Sequence, residues 1–167
     1  MPKFTEPNYN IKSLTIRNAH VRYRNFGGGR YGREITLQID DPEIAQEMAN
    51  DGWPVRTIIP EDPKFDPRYQ MRVAISFRDR EGHIFDENDT RLPHVYMCTR
   101  KRKHELNEDT IARLDRAELD KVDLTIRARW WENEEGWHIK AFLSRLYATI
   151  CEDDLDAEYA EQECPEE

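Results

Sequence analysis

The chain has 167 residues, 35% of them charged and 38% hydrophobic, with a net charge of −9, which is enough for one compact domain with its own core. Stretches such as LTI, ITLQI and LTIRARWW are too apolar and too regular for a disordered chain. No apolar run reaches bilayer-spanning length and the opening MPKFTEPNYN holds no signal-peptide core, so a soluble, cytoplasmic protein without membrane contact is expected.

Taken in chain order, residues 11 to 26 alternate as a strand, with Leu14 and Ile16 in one phase and Ala19, Val21 and Tyr23 in the other. The slip near Arg17 and Asn18 predicts a bulge in a long, bending strand. Residues 33 to 39 alternate again, with Ile35, Leu37 and Ile39 on one side, so the two segments form a hairpin whose tip is GGGRYG. A short helix follows. Asp41 caps it, Pro42 suits its first turn, Ile44, Ala45, Met48 and Ala49 form its apolar stripe, and Gly52 ends it. WPVRTIIP predicts a short strand, EDPKFDP a loop, and RYQMRVAISF a strand with Met71, Val73, Ile75 and Phe77 inward. A loop around REGHIFDENDTRLP leads to a strand at HVYMCT, and TRKRKHE forms a basic turn before a second helix over residues 107 to about 117, anchored by Ile111 and Leu114. KVDLTIRARWWE and WHIKAFLSRLYATI close the domain as a hairpin joined by NEEG. The fold class expected is mainly β, an OB-fold-like β-barrel with two short helices, spanning residues 1 to 151.

Residues 152 to 167 differ in kind. They carry nine acids and no Lys or Arg, which leaves 25 acids against 25 bases in residues 1 to 151. The domain is neutral and the tail holds the whole excess, as a solvated segment or as one that engages a partner.

The motifs do not favour catalysis. Five scattered histidines show no zinc-finger spacing, and His94 and Cys98, four apart on a strand, supply only two ligands. DENDTRLPHVYM opens like a calcium loop but has Arg91 in place of the glycine and Met97 in place of the bidentate Glu. GGGRYG lacks the Lys-Ser/Thr of a phosphate-binding loop and lies between two strands. Three cysteines, Cys98, Cys151 and Cys164, are odd in number and lack metal-type spacing, which argues for reduced thiols. No cofactor and no enzyme activity are expected.

Binding chemistry fits better. From Pro7 to Arg33 the chain holds Lys12, Arg17, Arg22, Arg24, Arg30 and Arg33 with no Asp or Glu. Single-strand nucleic-acid binders combine cations that track phosphates with rings on which bases stack, and three patches offer both or the first. In the first hairpin Arg22, Arg24 and Phe26 alternate out of phase with Val21 and Tyr23, followed by Arg30, Tyr31 and Arg33. In the late hairpin Arg127, Arg129 and Trp131 share the face opposite Leu124, Ile126, Ala128 and Trp130. The third patch is the turn holding Arg100, Lys101, Arg102 and Lys103. Each alone has a plainer explanation as solvated cations or surface cation–π pairs. Trp53 and Trp130, with apolar neighbours in phase, belong to the core.

The hairpin VRYRNFGGGRYGREITLQIDD, the segment EIAQEMANDGWPVR, the strands VDLTIRARWWE and IKAFLSRLYATI, and the terminal EDDLDAEYA give a chain that resembles the phage-encoded single-stranded DNA-binding proteins. The resemblance covers most of the chain. It implies an OB-type barrel that binds single-stranded DNA without sequence preference and without a cofactor. It also implies an acidic tail, here Glu152, Asp153, Asp154, Asp156 and Glu158 foremost, that recruits replication or recombination proteins or occupies the cationic groove when DNA is absent. Homodimerisation is left open. The alternative is a phage inhibitor, an anti-CRISPR or nuclease inhibitor, that docks a host nucleic-acid-binding protein, either by presenting acidic surface as a nucleic-acid mimic or by reusing the barrel as a protein-docking module; a mimic would depend on Glu and Asp where DNA binding depends on Arg24 and Arg129.

Overall fold

The computed structural model describes residues 4–28 and 32–151. Among these residues nine strands form one sheet: β1 Ser13–Ile16, β2 His20–Asn25, β3 Arg33–Ile39, β4 Arg56–Ile58, β5 Arg68–Ile75, β6 His94–Cys98, β7 Lys103–Leu106, β8 Leu119–Asn133 and β9 Gly136–Ile150. Their order is β1-β8-β9-β5-β3-β2, with β4 beside β5 and β6 between β7 and β9. One helix, α1, spans Pro42–Asp51 and one 3-10 turn spans Ile111–Asp115.

The first predicted strand turns a corner instead of bending. Asn18 takes φ 51, its N–H donates to the Asp123 carboxylate at 2.8 Å, and β1 leaves to pair with β8 while β2 pairs with β3. The two halves of one segment therefore join opposite ends of the strand order, which rolls the sheet in the manner of an OB-like barrel.

The inner face follows from alternation. Ile35 and Leu37 on β3, Met71, Val73 and Ile75 on β5, Leu124 and Ile126 on β8, and Ile139, Ala141 and Leu143 on β9 are all buried, with Trp53, Phe77 and Val95 completing the core. Pairing shifts between Thr125 and Ile126 opposite Arg145 and Leu143, so Ser144 is the extra residue of a bulge. Beyond it the buried phase continues through Leu146 and Ala148.

The helix keeps its predicted ends: Asp41 accepts from Glu43 N–H at 2.9 Å and Gly52 closes it at φ 109. Ala45 and Met48 are buried, whereas Ile44 is exposed at the edge of its stripe. The second predicted helix is the shorter 3-10 turn, with Ile111 and Leu114 buried as its anchors. TRKRKHE is a turn only at its start. Thr99 and Arg102 close it, and Lys103 already lies in β7, paired with Cys98. No helix among the described residues is long and apolar enough to cross a membrane.

Candidate nucleic-acid interface

The face of the sheet turned away from the core is set by the β8–β9 register. Trp131 pairs with His138, Arg129 with Lys140 and Arg127 with Phe142, and beyond the bulge Thr125 pairs with Arg145 and Asp123 with Tyr147. Cross-strand partners share a face, so one outer stripe carries rings and cations along the hairpin, with Thr125 and Asp123 among them. At one end Trp131, 43% exposed, lies 4.9 Å from the His138 ring. In the middle the Phe142 ring is held between the Arg127 guanidinium at 4.6 Å and the Lys140 ammonium at 5.2 Å. At the far end Tyr147 stacks on Tyr96 of β6, centroids 4.9 Å apart and planes 12° apart, with the Lys103 ammonium 4.9 Å from the Tyr96 centroid. Arg145 donates to the Tyr147 hydroxyl at 3.3 Å, and burial raises the proton affinity of the Tyr96 phenol.

The loop between β5 and β6 turns the middle of this stripe into a cleft. Arg127, Arg129 and Phe142 form the floor of a cavity of about 590 Å³, with Arg78, Arg80 and Arg91 among its walls. Two of the wall cations are clasped. Arg78 makes two hydrogen bonds to Glu108, at 2.7 and 2.8 Å. Arg91 donates to Asp89 at 2.8 and 3.0 Å while its guanidinium sits 4.5 Å from the Phe85 ring. Bonded to Arg91, the Asp89 carboxyl is held down to about 2. Arg127 is different. Its Nε is buried without a hydrogen-bond partner among the described residues, and burial, then the charges of Arg129 and Arg91, push its pKa down, with Asp89 pulling the other way. Buried cations crowded by other cations are stabilised by an incoming anion.

The predicted site residues distribute unevenly over this geometry. Arg127, Arg129 and Trp131 come together on the stripe, and Lys103 joins its far end. Lys101 and Arg102 lie in the adjoining β6–β7 turn. Arg22 lies on β2, opposite Thr36, with its Nη1 bonded to Gln38 at 2.9 Å. Arg30 and Tyr31, and Glu152, Asp153, Asp154, Asp156 and Glu158 of the tail, lie outside the described residues.

Three predicted site residues make contacts within the fold that the sequence did not suggest. Phe26, expected as an exposed stacking surface, is 1% exposed and packs in the core, while Tyr23, expected inward, is 65% exposed. The cause is a bulge: register passes from Arg22↔Thr36 to Asn25↔Glu34, so Tyr23 and Arg24 together oppose Ile35, and Tyr23 takes φ 50. Arg24 donates to the carbonyls of Leu114 and Ala117 at 2.8 and 2.6 Å, closing the 3-10 turn. Arg33 donates to the Glu108 carbonyl at 3.2 Å and lies 5.5 Å from the Phe77 ring. The described part of the hairpin tip is fastened as well, because Asp115 accepts from Phe26 N–H at 2.6 Å and Gly27 N–H at 2.8 Å.

Sequence reasoning missed Arg78, Arg80, Phe85 and Arg91 of the loop and Lys140, Phe142 and Tyr147 of β9. The β9 residues carried a signal, since Lys140 and His138 alternate with Ile139 and Ala141.

The fold and this stripe define an OB-like β protein with a basic and aromatic outer face. Residues 5–167 match the family model described as "Putative phage ssDNA-binding domain", and the chain belongs to that family. Among solved structures it is similar to the single-stranded DNA-binding protein from bacteriophage Enc34, with TM-score 0.51 and 14% identity over 92% of each chain. The Enc34 protein in complex with ssDNA aligns with TM-score 0.51 at 14% identity, over 90% of this chain and 97% of that one. At such identity these likenesses speak for the fold. No curated protein matches the chain.

Proposed function

We propose that the protein binds single-stranded DNA along the β8–β9 stripe, with phosphates in the arginine cleft and bases stacked on exposed Trp131 and on the half-buried rings of His138 and Tyr147. The observation that carries this reading is Arg127, half-buried over Phe142, its Nε without a partner among the described residues and its neighbours two cations, Arg129 and Arg91, against one carboxylate, Asp89. A further anion would offset that excess. A phosphate string supplies several, and rings beside the cations give each base a sequence-tolerant platform. The stripe from His138 to Tyr147 runs about 30 Å at roughly 3.3 Å per strand residue, so it suits an extended chain better than a small anion. The Enc34 protein, which shares the fold, has been solved with ssDNA.

The acidic tail has two roles in this reading: it competes for the cationic cleft when DNA is absent, and it recruits replication or recombination proteins when DNA displaces it. Nothing in the stripe requires a cofactor or a bond-breaking step. The stripe's cations also favour DNA binding over an inhibitor that acts by acidic mimicry, which needs acids at the contact surface.

The test is fluorescence anisotropy of a labelled oligo-dT at two salt concentrations, with a duplex of equal length as competitor. Tight, salt-sensitive binding that duplex competes poorly is expected. Absence of binding at low salt, by the full chain and by a chain ending at residue 151 alike, overturns the reading in favour of protein docking.

A further inference from the structure

A second cavity lies on the same outer face, two strands from the cleft. Phe142 is bridged to Ala74 and Ala74 to Glu34, so about 10 Å, two strand spacings, separates the cleft floor from the cavity's edge. The cavity measures about 250 Å³ and is lined by Thr36, Gln70, Tyr23, Asn25, Arg56 and Arg72 among others. That is just below the roughly 300–1,000 Å³ typical of drug-sized ligands, room for one small ring system.

Its floor is polar. Gln70 is 5% exposed and Thr36 6%, and both side chains line the cavity. Gln38, paired with Gln70 across the strands, has an amide that accepts from Arg22 at 2.9 Å and donates to Asp40 at 2.8 Å. Within the cavity Gln70 offers an acceptor and two donors, and Thr36 a hydroxyl, to a guest.

The rim is equally particular. Tyr23 stands there because of its bulge, at a positive φ that bulky residues seldom adopt. Such strained positions gather at ligand sites. Its ring is largely exposed, with the Arg22 guanidinium 5.5 Å from its centroid. Arg72, 3.6 Å from Glu34, and Arg56 bring positive charge to the same rim.

We infer that this cavity takes one nucleobase of the bound strand. Gln70 and Thr36 read its polar edge, Tyr23 offers the stacking ring, and Arg56 and Arg72 face the adjoining phosphates. A flat ring with hydrogen-bonding edges, tethered to an anion, is the guest that uses all of these groups. Amide side chains pair with base edges through a donor and an acceptor together. The inference rests on the single-strand reading above and adds a base-reading position to an otherwise sequence-tolerant surface.

The experiment is a base scan with the full chain. An oligo-dT of about 12 nucleotides, within the usual site size of an OB fold, is substituted at one position at a time by dA, dC, dG or an abasic unit and competed against labelled oligo-dT. One position is expected to discriminate among bases by about tenfold, the scale of a good side-chain–base pair. Gln70→Leu is expected to level that discrimination, since it removes the amide donors and acceptor that read the base edge, with the fold retained on thermal unfolding. Tyr23→Ala, at an exposed ring, is expected to weaken binding of every oligonucleotide about tenfold. Binding by the unaltered protein without base discrimination at any position overturns the inference and leaves the single-strand reading standing. Discrimination that survives Gln70→Leu also overturns it. Failure of the unaltered protein to bind any oligonucleotide overturns both.

Discussion

Replacing Arg129 by alanine separates a binding role from a structural one. Arg129 is exposed on β8, lines the cleft, and adds to the positive charge that lowers the proton affinity of Arg127. Neutralising one phosphate on a single strand contributes a slope of about −0.7 to the dependence of log K on log salt. If Arg129 meets one phosphate, the slope falls in magnitude by about 0.7 and affinity at 0.1 M salt drops about fivefold, because 0.1 raised to the power 0.7 is about one fifth. Stability should hold or rise slightly, since a like charge leaves the neighbourhood of Arg127. The assay is an anisotropy titration at four salt concentrations, with thermal unfolding alongside. An unchanged slope with lower affinity would show that the side chain acts otherwise than by phosphate contact. An unchanged slope and affinity would remove Arg129 from the site and refute the reasoning.

Arg24→Ala is expected to do the opposite: lose about 2 kcal/mol of stability in chemical unfolding, as the Leu114 and Ala117 carbonyls lose a charged donor, and leave the salt slope as it was. Phe26→Ala should cost about 3–5 kcal/mol in the same unfolding assay, because the ring is core rather than stacking surface. Trp131→Ala should weaken oligo-dT binding by about 1–3 kcal/mol, with little dependence on base, as measured by anisotropy. Deleting residues 152 to 167 should tighten DNA binding; equal or weaker binding would end the proposed competition for the cleft. The Asp89 carboxyl, bonded to Arg91 and held down to about 2, should remain ionised as pH falls through the ordinary carboxylate range. Its contribution to stability is therefore whole above pH 4 and fades only toward pH 2, which an NMR titration of that carboxyl would follow.

Periodicity made much of this fold legible. Met71, Val73, Ile75 and Phe77 are buried as their alternation requires, and α1 begins and ends at its capping residues. The face carrying Arg127, Arg129 and Trp131 was visible for the same reason. What alternation does not encode is an inserted residue. The bulge at Tyr23 and Arg24 reverses the phase beyond it, so Phe26 and Tyr23 exchange the places that a regular strand would give them. Long-range register was equally hidden: that Lys140 and Phe142 stand beside Arg129 and Arg127 depends on a pairing between strands, not on either strand's own pattern. The cleft wall had no period to find. Arg78, Arg80 and Arg91 sit in an irregular loop among Asp and Glu, which locally suggested a failed calcium site. Only folding shows that Glu108 and Asp89 clasp two of these arginines at the rim of a cavity.

The central claim is that the outer face of β8 and β9 carries the strand, and a map of contact tests it most directly. In an amide NMR titration of the full chain with unlabelled oligo-dT, the largest shifts are expected at Arg127 to Trp131, at His138 to Phe142 and in the loop around Arg78 and Arg91. Shifts centred instead on α1 and its surroundings, with the β8–β9 stripe unmoved, would contradict the account.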